Sequence, residues 1–216
     1  MIDPAVAAAN RRARQEKKAA YLRALHARYV DKFRAAATGE PVALAKSLHD
    51  EITQLLARDR VMLPGGDDIR CRKTCSHCCH EAVDVGMHEA QRLVAAARES
   101  GIVIDRDQLL RQSRRTTADW HAQAAADRRC VFLDDEGSCR VYAARPASCR
   151  KLFVVSDPAE CDATWPGDRA VERWHSWEAE LMAAAALEVF GGELMAGALL
   201  RVLEAETAAV RSEAVK

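Results

Sequence analysis

Aromatic residues make up only 5% of this chain, and its 216 residues carry no net charge, with 32 basic side chains against 32 acidic ones. The charge balance removes any global field that would draw the protein onto nucleic acid or an anionic lipid surface, so neither is an expected partner. Long apolar runs are missing too. The opening MIDPAVAAANRRARQEKK holds a short apolar stretch before dense charge, too short for a secretory h-region. The longest apolar tract, 181–200, is broken by Glu188, Gly191, Gly192 and Glu193, and charge at a bilayer centre is costly. A cytoplasmic protein without a membrane span is expected. No self-similarity appears at a period of about 20 to 50 residues, which excludes a solenoid. There is no strand-helix alternation, no glycine-rich phosphate loop between a strand and a helix, and no Ser-His-Asp order. Nothing in the residues therefore names a reaction, and whether the chain is an enzyme stays open.

What is present is helical periodicity. Leu22, Leu25, Tyr29 and Phe33 share one stripe, and Leu48, Ile52, Leu55 and Leu56 another, with Gly39 and Pro41 as a stop and a start between them. PGGDD at 64–68 is a turn. Ala90, Leu93, Val94 and Ala97 mark a further helix ending near Gly101, and Asp105 with Gln108 resembles a capping box opening a helix toward Trp120. Beyond the cysteines, Trp174, Trp177, Leu181 and Ala184, then Met195, Leu199, Val202 and Leu203 after Gly191-Gly192, predict a helical hairpin. Few strand-like runs and abundant alanine agree. The expected fold is mostly α: a helical bundle with an irregular cysteine-rich metal-binding module that contains a short β-hairpin. Three sections are expected: N-terminal helices over 1–64, the cysteine-rich module with supporting helices over 65–165, and the C-terminal hairpin over 166–216.

The chemistry-bearing feature is the distribution of eight cysteines. IRCRKTCSHCCHE places Cys71, Cys75, Cys78 and Cys79 within nine residues; CVFLDDEGSC supplies Cys130 and Cys139, and Cys149 and Cys161 follow, so all eight fall within 91 residues. Apolar residues alternating around Asp134-Asp135-Glu136-Gly137 predict a hairpin that brings Cys130 near Cys139. Pro146 fixes the chain ahead of Cys149. Adjacent Cys78 and Cys79 are expected to point apart, which lets one serve the first centre and its neighbour a second, and a sulfur-bridged cluster tolerates such crowding too.

Three readings of these thiols compete. Free cysteine is often a buried small hydrophobe, but that explains C-x3-C-x2-C-C poorly. A disulfide framework conflicts with the reducing compartment expected for a chain without an export signal. Metal ligation explains the spacing, because thiols three or four residues apart reach one centre about 2.3 Å away. The flanking residues agree: within two positions of a cysteine stand eight basic side chains, Arg70, Arg72, Lys73, Arg128, Arg129, Arg140, Arg150 and Lys151, against acidic Glu81, Glu160 and Asp162. Cations lower thiol pKa values and offset thiolate charge. His77 and His80 are secondary candidates through imidazole nitrogen.

Three motifs together, C-R-K-T-C-S-H-C-C at 71–79, C-V-F-L-D-D-E-G-S-C-R-V-Y at 130–142 and R-P-A-S-C-R at 145–150, resemble the YkgJ-type cysteine-cluster (CxxCxxCC) family of zinc- or iron-chelating proteins. The likeness covers about residues 69 to 161, and departs from the family name in one place, a first gap of three residues rather than two. The resemblance implies metal ligands at Cys71, Cys75, Cys78, Cys79, Cys130, Cys139, Cys149 and Cys161. Eight thiolates suit two four-thiolate zinc sites, or one 4Fe-4S cluster with thiols to spare. The metal would act as a structural or redox centre, with docking to an unidentified protein partner conceivable. Flagellin lysine methylases carry a similar cluster, so an iron-sulfur-dependent protein-modifying enzyme is the alternative that the resemblance implies.

Overall fold

In the computed structural model, which describes residues 4–162 and 171–214, the chain is mostly helical, as the composition leads one to expect. The boundary expected between 165 and 166 lies outside the described residues. Two long helices come first, α1 (Pro4–Ala36) and α2 (Pro41–Met62). Gly39 and Pro41 separate them. Glu40 caps α2, its carboxylate accepting from the amides of Val42 at 3.0 Å and Ala43 at 2.7 Å. Such a cap satisfies donors that the first turn leaves unpaired. Val30 and Phe33 of α1 share one buried cluster with Leu48, Ile52 and Leu56 of α2, and Leu25 of α1 is buried as well.

Then come β1 (Asp84–Gly86), α3 (Met87–Glu99), α4 (Arg106–Ser113), the single turns α5 (Ala125–Arg128) and α6 (Ala147–Arg150), β2 (Phe153–Val154), β3 (Arg173–Trp174), α7 (Trp177–Phe190), β4 (Gly192–Leu194) and α8 (Met195–Ala214). β1 pairs antiparallel with β4, Val85 opposite Glu193, and β2 with β3, Phe153 opposite Trp174. The predicted stripe of α3, Ala90, Leu93, Val94 and Ala97, is entirely buried.

Two expectations about α4 are corrected. Asp105 does accept from the Gln108 amide at 2.9 Å, but the Gln108 side chain does not return to the cap; it donates to the carbonyls of Ala126 and Arg129. The helix also stops at Ser113 instead of running to Trp120, which sits in a separate 3-10 turn. Asp119 explains the stop: its carboxylate accepts from the Thr116 amide at 2.6 Å and hydroxyl at 3.0 Å, a local closure that competes with helical bonding.

The described residues form two apolar cores. One gathers Val30, Phe33, Leu48, Ile52, Leu56, Trp174, Ala179 and Met182; the other gathers Val85, Leu93, Leu109, Phe132, Val141, Leu199 and Val202. Each fully buried Leu, Ile or Val contributes about 1.5 to 3 kcal/mol. α7 packs on α1 and α2, whereas α8 packs on α3 and α4. The two helices expected as a hairpin thus enter different cores. Gly191 makes that divergence feasible, reversing the chain at φ 73° before β4 joins β1, a conformation that costs glycine little.

A buried polar link ties the cores together. His49 of α2 and Glu89 of α3 are essentially inaccessible, and His49 Nε2 lies 2.7 Å from the Glu89 carboxylate. That carboxylate also accepts from the amides of Ala147 at 2.8 Å and Gly86 at 3.2 Å. Burial alone would raise the Glu89 carboxyl, but the hydrogen bonds and nearby imidazoles outweigh it and hold the group below its ordinary range. His49 is lowered, because burial disfavours its charged form more than Glu89 favours it.

Candidate metal centre

The first cysteine loop lacks regular structure until a 3-10 turn at His77–His80. Its three-residue gap is absorbed by Thr74, which takes φ 69° just before Cys75, while the Cys75 amide closes a turn on the Arg72 carbonyl at 3.1 Å. A β-branched residue in the left-handed region is strained. Gly137 packs against this loop: at φ 80°, a Cβ there would stand 2.9 Å from the Thr74 carbonyl oxygen.

Backbone bonds dock the loop on three sides. The Arg70 amide donates to the Val154 carbonyl at 2.8 Å, and the Val154 amide points at Cys71 Sγ at 3.4 Å. The Cys130 amide donates to the Cys79 carbonyl at 2.8 Å, and Trp120 Nε1 to the His80 carbonyl at 2.8 Å. Cys149 rides on α6, whose first amide is the one held by Glu89. Cys161 closes a 3-10 turn over 158–161 beside the His77–His80 turn.

The expected hairpin forms only as a tight reversal. A single bridge joins Leu133 to Cys139, and the Asp134 amide meets the Ser138 carbonyl at 2.9 Å. Cys139 therefore faces Leu133, and Cys130 lies at the preceding bend, where its carbonyl accepts from the Leu133 amide at 3.0 Å. The Asp134 carboxylate explains the compact turn, accepting from the amides of Glu136 and Ser138.

All eight cysteines are free thiols. They fall into two electrostatically coupled groups that meet at Cys78. In one, Cys161 is pushed up to about 11, first by burial and then by Cys75, Cys71 and Cys78. Cys71 is raised by burial, against the Val154 amide, and also feels Cys75 and Cys78. In the other, burial raises Cys149, with Cys130, Cys78 and Cys139 adding to it. Burial raises Cys130 to about 11 against the Phe132 amide, with Cys139 adding to the rise. Side chains one step apart in a 3-10 turn leave the axis about 120° apart, and the two thiols shift each other in opposite directions. Cys78 is lowered to about 7, chiefly by Cys79 and then by Arg145, while Cys79 is raised chiefly by Cys78.

Arg145 is the functional residue that a two-position window around each cysteine misses. Its guanidinium lowers Cys71, Cys78, Cys139 and Cys149. It stands four residues before Cys149, inside R-P-A-S-C-R, so the motif carried the signal. Several cations expected near the thiols are engaged elsewhere: Arg129 with the carbonyls of Leu133 and Asp134, Arg140 with the Val131 carbonyl, and Lys151 with Glu180. His80 Nδ1 lies 3.2 Å from the Ser76 carbonyl, and His77 lies 3.8 Å from Asp162.

Residues 70–166 match the CxxCxxCC family, described as a putative zinc- or iron-chelating domain. This segment is similar to a CxxCxxCC domain. No curated protein and no solved structure matches the chain. The match to the CxxCxxCC domain supports metal binding in general and covers seven of the expected ligands within the three quoted motifs, together with Cys161.

Chemically, the donor set suits such an ion. All eight cysteines are free thiols, and Arg145 at four of them and the Val154 amide at Cys71 oppose the burial that otherwise raises them, in the direction of the thiolate that a metal requires. The sulfurs are not drawn to coordination distance, since among the described residues no group of three or more His, Cys, Asp or Glu is placed to hold an ion. Bringing thiolates that close costs like-charge repulsion which a cation offsets.

Proposed function

We propose that the CxxCxxCC domain binds zinc or iron through thiolates of Cys71, Cys75, Cys78, Cys79, Cys130, Cys139, Cys149 and Cys161, and that the metal is a structural centre. One observation supports the reading: eight free thiols stand on four chain segments without long regular elements, and they shift one another's pKa values across those segments. Such segments bury little apolar surface of their own, so a cross-linking ion supplies order that packing does not.

In this reading the bound ion contributes positive charge and four-way cross-linking. The chain's own residues do the rest. Arg145 offsets thiolate charge, the Val154 amide steadies Cys71, and Glu89 fixes the turn that carries Cys149 by holding the Ala147 amide.

The test is elemental analysis with an absorption spectrum on protein made without exposure to air, followed by chelation under reducing conditions. A structural centre predicts stoichiometric zinc or iron, and a sharp fall in melting temperature when the metal is removed. A metal-free form as stable as the loaded one would overturn the structural role. Broad visible absorbance would mark an iron-sulfur cluster instead.

A further inference from the structure

Three arginines, Arg92, Arg145 and Arg150, converge, and among the described residues no carboxylate lies in ion-pair contact with them. The carbonyl oxygen of Ala143, in the 3-10 turn Tyr142–Ala144, accepts from Nη2 of Arg92 on α3 at 3.1 Å and also from Nη2 of Arg150 at the end of α6. Arg150 is further held by its Nε donating to the Arg145 carbonyl at 2.8 Å and its Nη1 to the Thr53 hydroxyl on α2 at 3.1 Å. The Arg145 guanidinium lies 4.2 Å from the centre of the exposed Tyr142 ring. Two guanidinium groups are thus held side by side, at an edge where Ala143 and Thr53 are exposed.

This crowding is unfavourable in the protein alone. The carboxylates that Arg92 and Arg150 feel are Asp50 and Glu89. Asp50 is paired with Lys46 at 2.7 Å, and Glu89 is buried on His49 and two amides. With Arg145 facing the thiols, counting Lys46, Arg92 and Arg150 against Asp50 and Glu89 leaves a surplus of one positive charge. Each Nη2 carries a second N–H beyond the one given to Ala143. Paired guanidinium N–H groups match the oxygens of a tetrahedral oxyanion in both spacing and charge.

We propose that Arg92 and Arg150, aligned on the Ala143 carbonyl, form a binding site for a dianion of the phosphate class. The site does not depend on the metal reading, and its test uses no metal signal. The full-length protein is titrated with inorganic phosphate, and separately with phosphoethanolamine, by calorimetry at ionic strength matched with sodium chloride. Saturable binding of either is expected. Tighter binding of phosphoethanolamine assigns a phosphomonoester, and tighter binding of phosphate assigns the free ion. Arg92→Gln is expected to weaken binding by about tenfold or more, as loss of a charge-assisted bond implies. Arg92→Lys, which keeps charge but loses the fork, is expected to weaken it by less. Asp50→Asn removes an exposed competing carboxylate and is expected to tighten binding several-fold, a gain that misfolding does not mimic. Absence of saturable binding in the unsubstituted protein, or equal affinity in Arg92→Gln and Asp50→Asn, would overturn the proposal.

Discussion

His88 gives the most quantitative prediction, because burial there has an unpaired titratable ring to act on. The side chain is 4% exposed and lies against Phe190 at 4.2 Å between ring centres. Among the described residues neither ring nitrogen has a hydrogen-bond partner. Burial lowers its pKa from 6.5 to about 4, with Glu89 opposing and His49 assisting. A group depressed on folding stabilises fully above its unfolded pKa and loses that contribution as pH falls toward the folded value. Between about pH 7.5 and pH 5.5 the loss from His88 is about 1.4 kcal/mol, rising toward about 3 kcal/mol near pH 4. For a chain of this size that first step lowers the melting temperature by about 3 to 5 °C. Other groups titrate in the same window, so the assay is a double difference: urea or thermal unfolding of the unsubstituted chain and of His88→Phe at both pH values. His88→Phe keeps an apolar ring beside Phe190 and has nothing to protonate. It should therefore show a pH loss smaller by about 1.4 kcal/mol. Identical pH dependence in the two proteins would refute the claim that His88 is buried neutral.

Glu89→Ala should destabilise by about 3 to 5 kcal/mol, the scale for breaking a buried pair, and chemical denaturation measures it directly. It should also lower metal content, because the Ala147 amide and the Cys149 turn lose their anchor. Cys75→Ala and Cys149→Ala should lower metal stoichiometry and stability together. Trp174→Ala should cost about 3 to 5 kcal/mol with metal stoichiometry unchanged, since its indole packs on Phe153 at 6.0 Å and bonds the Pro64 carbonyl; equal metal content in all three variants would refute the ligand assignment. Gly137→Ala should destabilise by about 1 to 3 kcal/mol through its positive φ and its approach to Thr74, with unfolding midpoints and metal content as the readouts.

Much of the fold was legible because helical periodicity survives into burial. The stripes of α1, α2 and α3 mark the faces that become core, and Gly39 and Pro41 punctuate the chain where it turns. What the sequence did not show were choices between local and distant partners. Gln108 looked like half of a capping box, yet its amide is drawn to carbonyls on the neighbouring turn. Asp119 ended α4 through a bond to Thr116 that periodicity does not register. α7 and α8 looked like a hairpin because a glycine pair sits between them, but glycine specifies a reversal and not the face against which the next helix packs. At the site, spacing grouped the thiols, while Arg145 and Glu89 were hidden because both act across the fold rather than along the chain.

Metal-edge X-ray absorption on anaerobically prepared full-length protein addresses the thiolate account most directly. It predicts zinc or iron surrounded by sulfur at about 2.3 Å, the metal-thiolate distance. A shell of nitrogen and oxygen at about 2.0 to 2.1 Å without sulfur, or protein that binds neither metal, would contradict it.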